Sequence, residues 1–140
     1  MRRLEAARQS IHVELVLSKK YEEFTESLPT RGGTNDDAVK NLYEMAREAG
    51  VTRPCEMLQV RWFSNDGKTP AEENGPPTSH AKYLSVDGQV VIVGSANMDI
   101  QSWRNSREVN VVVDSAATTR AWDAQVFEPS FDIGIPAECR

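Results

Sequence analysis

The chain has 140 residues, 39% of them apolar and 26% charged, with a net charge of −5. That fits one globular domain, long enough to bury a core without help from metals or disulfides. Sixteen basic against twenty-one acidic residues weigh against a nucleic-acid binder that works through overall charge, though they leave room for a local basic site.

Met1 to Gln9 reads as the end of a helix, with Leu4, Ala7 and Ile11 on one face and no N-cap ahead of it. The chain is thus expected to begin inside an element. The opening MRRLEAARQS lacks the apolar core of a signal peptide, and no run approaches the ~18 apolar residues of a spanning helix. Ile11 to Leu17 alternates as a strand, with His12 and Glu14 on its polar side. A long connection, Ser18 to Asn35, carries Pro29, Gly32 and Gly33. Thr34 or Asn35 then caps a helix from Asp36 to Ala49, whose stripe is Val39, Leu42, Tyr43 and Ala46; Gly50 stops it. Glu56 to Phe63 is a second strand, and a β-α-β order predicts at least one parallel pair.

Ser64 to Ser79 is polar and rich in Gly and Pro, a surface loop leading into His80. A hairpin follows: His80 to Val86, a turn at Asp87-Gly88, then Gln89 to Val93. Ser95 to Arg104 is irregular or helical, Arg107 to Asp114 a strand, and Ala116 to Phe127 a helix. The end, EPSFDIGIPAECR, reads as an extended tail. Cys55 and Cys139 are far apart and in no metal-ligand pattern. Two cysteines are no disulfide framework, so they leave the compartment open.

The chemistry concentrates in HAKYLSVDGQVVIVGSANMDIQSWRNSRE, residues 80–108. His80 and Lys82 are two apart, so on a strand they share a face. An imidazole can attack phosphorus, and an ammonium can neutralise a phosphate oxygen as charge builds. Such a pair alone is ordinarily a solvated polar face. Gly94-Ser95-Ala96-Asn97 closes the return strand, which pairing brings back beside His80. Its hydroxyl and amide can bond phosphate oxygens, although Gly, Ser and Asn are also plain turn residues. Glu108 opens an apolar strand and can bond the far nitrogen of a nucleophilic histidine, or it is a strand-edge charge.

The spacing His80-x-Lys82-x4-Asp87-x6-Gly94-Ser95-x-Asn97 resembles the HKD motif of the phospholipase D superfamily at six fixed positions in eighteen residues. Glu108 falls where that family carries its histidine-orienting glutamate. SKKYEEFTESLPTRGG, residues 18–33, and the helix after it resemble the region before the second HKD motif of the cardiolipin-synthase-like branch. The resemblance implies an α/β fold: a mixed sheet with flanking helices, a phospholipase D-like half domain filling 1–140 with a tail at 128–140. It implies phosphodiester exchange through a covalent phosphohistidine, with no metal or other cofactor. His80, Lys82 and Asp87 are then the catalytic set, Lys82, Ser95 and Asn97 the phosphate contacts, and Glu108 the orienter. Asp87, in the hairpin turn, has a structural rather than chemical part.

The family mechanism uses two HKD motifs and this chain has one. His12 has no lysine two residues on and no following Gly-Ser-x-Asn, so it reads as a polar strand residue. The second motif is expected from a homodimer partner or from a missing N-terminal half, the helical start favouring the latter. The chain alone is then expected to have low or no activity. The substrate expected is a phospholipid, with phosphatidyl transfer or hydrolysis as the reaction. A membrane-surface contact through Trp62, Phe63 or Trp103 is open. A nuclease of the same superfamily and a catalytically incomplete remnant are the alternatives.

Overall fold

A computed structural model describes residues 11–19, 33–71, 79–98 and 101–139. The expected N-terminal helix and most of the 18–35 connection fall outside these residues. Strand β1 (Val13–Leu17) lies parallel to β2 (Leu58–Trp62), Val13 opposite Leu58 and Leu17 opposite Trp62. Between them runs helix α1 (Asn35–Glu48). Thr34 caps it reciprocally: its hydroxyl accepts from the Asp37 amide, and the Asp37 carboxylate accepts from the Thr34 amide at 2.9 Å. These bonds, the backbone one foremost, hold the Asp37 carboxyl below its ordinary pKa.

Val39, Tyr43 and Ala46 are the buried stripe of α1. Val39 and Tyr43 pack on Leu58, Val60 and Trp62, which alternate inward along β2, and the Tyr43 hydroxyl donates to the Leu58 carbonyl at 3.2 Å. The second strand begins later than its sequence pattern suggests. Residues Pro54–Met57 form a short helix, α2, because Pro54 suits a first turn and cannot feed a ladder.

A second sheet is an antiparallel meander of β3 (Tyr83–Val86), β4 (Val90–Gly94) and β5 (Asn110–Asp114), in that order. Asp87 (φ 53°) and Gly88 (φ 59°) form the turn between β3 and β4, both left-handed as a two-residue hairpin loop requires. Helix α3 (Ala116–Trp122), capped by Ser115, packs on β4 and β5, where Val91 and Thr119 are fully buried.

The C-terminal segment departs from the extended tail expected of it. Beyond α3 the chain continues through a π-helical turn, Asp123–Phe127, into helix α4 (Glu128–Ile133). Pro129 sits in the first turn of α4, where no amide hydrogen is needed. Phe131 is buried, its ring stacked on Phe127 and covered by the Arg61 guanidinium. Residues Ile135–Pro136 then form β6, antiparallel on the free edge of β2, which makes the first sheet mixed. The run from α3 to α4 touches β4 and β5 at one end and β1 at the other, and so spans both sheets.

The cysteines also depart from expectation. Cys55 in α2 and Cys139 after β6 form a disulfide, their Cα atoms 5.8 Å apart. Sequence separation hid a pairing that the return of the tail to β2 creates.

Candidate active site

The site forms where the second sheet's strands end. His80 and Lys82 precede β3 rather than lie within it, since the strand starts at Tyr83. Their approach is fixed from the other sheet. The Ser18 hydroxyl, just past β1, donates to the Ser79 carbonyl at 3.0 Å, and the Asn35 side chain in turn donates to the Ser18 carbonyl at 2.7 Å. His80 is exposed, and the Lys82 ammonium folds back to donate to the His80 carbonyl at 2.9 Å. The two residues are thus joined through the His80 backbone, not by sharing a strand face as their spacing predicts.

Past β4, Ser95 and Glu108 meet directly. The Ser95 hydroxyl donates to the Glu108 carboxylate at 2.5 Å and accepts from the Val109 amide at 3.0 Å. The Ser95 amide bonds the Val109 carbonyl at 3.0 Å, extending the β4–β5 ladder by one step. Gly94 makes this possible. A Cβ there would collide with the Asn110 side chain and the Val109 carbonyl, so the close approach it permits is of its neighbour strand.

Both backbone groups of Asn97 are committed. Its amide donates to the Ser102 hydroxyl at 3.0 Å, and its carbonyl accepts from the Trp103 indole at 2.9 Å. Ser102 and Trp103 belong to a π-helical turn, Gln101–Asn105, that folds back over the loop. The side-chain amide of Asn97 takes no part in these bonds. Asp87 is elsewhere, in the turn that closes the opposite end of the hairpin, about 20 Å of chain from His80 at strand rise.

Four supporting residues escaped the sequence reading. Ser18 and Ser102 gave no distinguishing signal, and Trp103 stood out only as a candidate membrane contact. Asn110 gave one: it is a polar residue breaking an apolar strand, and its carbonyl oxygen accepts from the Ala96 amide at 3.4 Å. Tyr83, the first residue of β3, donates to Asp123 at 2.7 Å. Burial first, and then the bonded and charged Asp123 beside it, push the phenol up to about 12.

An imidazole, an ammonium, a hydroxyl, an amide and a carboxylate thus border one rim of the sheet. The family model of the cardiolipin synthase, PLD-like domain matches residues 2–128. The chain belongs to this family. The PLD-like domain is a phosphodiesterase and phosphatidyltransferase fold, and the mixed α/β architecture of two small sheets with helices agrees with a PLD-like half domain. Among curated proteins, no match was found.

No helix among the described residues is long and apolar enough to cross a membrane. His12, just ahead of β1, is exposed and bonds Glu14 at 3.2 Å.

Proposed function

We propose that the chain is half of a phospholipase D-type phosphodiesterase or phosphatidyltransferase that works through a phosphohistidine on His80. The observation that carries this reading is the pairing of the Ser95–Glu108 bond with the adjacent His80–Lys82 pair, in a chain of the PLD-like family. An imidazole nitrogen of His80 attacks phosphorus, forming a P–N bond. The P–O bond to the leaving alcohol breaks, and that alcohol takes a proton from a second histidine. Water or an acceptor alcohol, deprotonated by the second histidine, then attacks and breaks the P–N bond. Lys82, Ser95 and Asn97 bind the non-bridging oxygens, where negative charge accumulates.

Glu108 orients His80. The β3–β4 and β4–β5 registers run toward His80 on one side and toward Glu108 on the other side of the end of β4, which supports this reading. Asp87 closes the hairpin and holds the two arms in register. The second histidine comes from a partner chain or from sequence outside these 140 residues, and a phospholipid is the substrate.

The test is chemical trapping. The chain, alone and with a second HKD-bearing chain, is quenched with ³²P-labelled phospholipid and with labelled DNA. An acid-labile, base-stable label on the wild type and none on His80→Ala is expected, with lipid the better donor. Labelling confined to DNA would favour the nuclease reading, and no label from any phosphodiester would favour the catalytically incomplete one.

A further inference from the structure

Among the described residues, the three most exposed large apolar side chains are Met98 (75%), Trp103 (74%) and Val109 (74%). All three border the same short loop. Met98 follows Asn97, Trp103 is bonded to the Asn97 carbonyl, and the backbone of Val109 pairs with Ser95. Single exposed apolar residues need no explanation, but three gathered around a candidate phosphate site do. The other two candidate membrane residues behave differently: Trp62 is buried in the core at 7% and Phe63 is half-buried.

Trp103 is also held in place. Its indole N–H, the one group that would seek water, is satisfied within the protein, and the ring is left facing out. A fixed amphipathic ring of this kind suits the boundary between lipid head groups and acyl chains. Arg104 and Arg107, both exposed, flank it, and neither takes part in an ion pair among the described residues. These charges stand out against the chain's net charge of −5 and complement anionic head groups. Met98 and Val109 are aliphatic and offer nothing to a stacking base, which disfavours single-stranded nucleic acid.

We infer that Met98, Trp103 and Val109 form an apolar anchor that, with Arg104 and Arg107, docks an anionic phospholipid bilayer and presents the Ser95–Asn97 loop at phosphodiester depth. The inference rests on the proposed phospholipid reading and specifies that the substrate is met within a bilayer rather than as a free monomer.

Co-sedimentation with large unilamellar vesicles tests it, comparing phosphatidylcholine alone with phosphatidylcholine mixed with phosphatidylglycerol. The wild-type chain is expected to bind the anionic vesicles, and Met98→Ser and Trp103→Ala to bind each about tenfold more weakly. His80→Ala is expected to bind as wild type. That arm separates docking from catalysis, because phosphohistidine trapping reads His80 independently of vesicle binding. Absence of binding to anionic vesicles, or equal binding by the Met98 and Trp103 variants, overturns the anchor. So does a rim that instead drives self-association by sedimentation velocity, or oligonucleotide binding by anisotropy, when either is lost in the same variants without any vesicle binding.

Discussion

A methyl group at position 94 has nowhere to go. The Asn110 carboxamide and the Val109 carbonyl already occupy the space. Overpacking of this kind costs about 1–3 kcal/mol, and here it would also push β5 away from the Ser95 hydroxyl that bonds Glu108. Gly94→Ala should therefore lower stability by about 2 kcal/mol in urea unfolding and weaken phosphate binding in the same variant. A variant as stable and as active as wild type would show that the strands relax around the methyl. The glycine was legible as a motif position. What approaches it, the Val109 carbonyl and the Asn110 side chain, lies fifteen and sixteen positions downstream and carried no local signal beyond one asparagine in a valine run.

Among the elements, the helix α1, the parallel strands and the meander were readable from periodicity, because each buries one regular face. The Asp87-Gly88 turn was readable because few residues adopt positive φ. The C-terminal helix α4 was not readable, since its Pro129 reads as a stop and Phe131 stacks on Phe127 in the π-helical turn before it. Its short partner β6 pairs through only two residues, too few for a pattern. The site was half legible. Residue types and gaps pointed to His80, Lys82, Ser95 and Asn97, whereas Ser18, Ser102 and Trp103 act through tertiary contacts that spacing cannot encode. One such contact makes a pH prediction. Tyr83 at the head of β3 bonds Asp123 in the turn after α3, and its phenol is held protonated up to about 12. An unfolded tyrosine ionises near pH 10. The folded phenol's pKa is the higher of the two, so its contribution is complete below about pH 10 and fades as pH rises through about 12. Tyr83→Phe should remove that alkaline loss while costing about 1 kcal/mol at neutral pH. An alkaline unfolding profile identical in the two proteins would count against the bond.

At the scale of the molecule, one helical run spans the two small sheets, and one covalent link closes the first of them. The α3–α4 run touches both sheets, and the disulfide ties α2, at the entrance to β2, to the residues that follow β6. The cysteines are 84 positions apart, and by loop-closure entropy a bridge of that span stabilises the fold by about 4 kcal/mol. Reduction, or Cys55→Ser, should lower the melting temperature by roughly 10–15 °C. An unchanged melting temperature on reduction would mean that the β6 contacts hold the tail unaided.

The same bridge gives the backbone the topology of a closed ring, and every residue of the candidate site, from His80 to Glu108, lies inside it. A single proteolytic cut anywhere between Glu56 and Glu138 opens that ring without releasing a fragment. The severed pieces stay tethered at high effective concentration and can re-dock. On a gel the nicked chain would run as one band until a thiol is added, and as two thereafter.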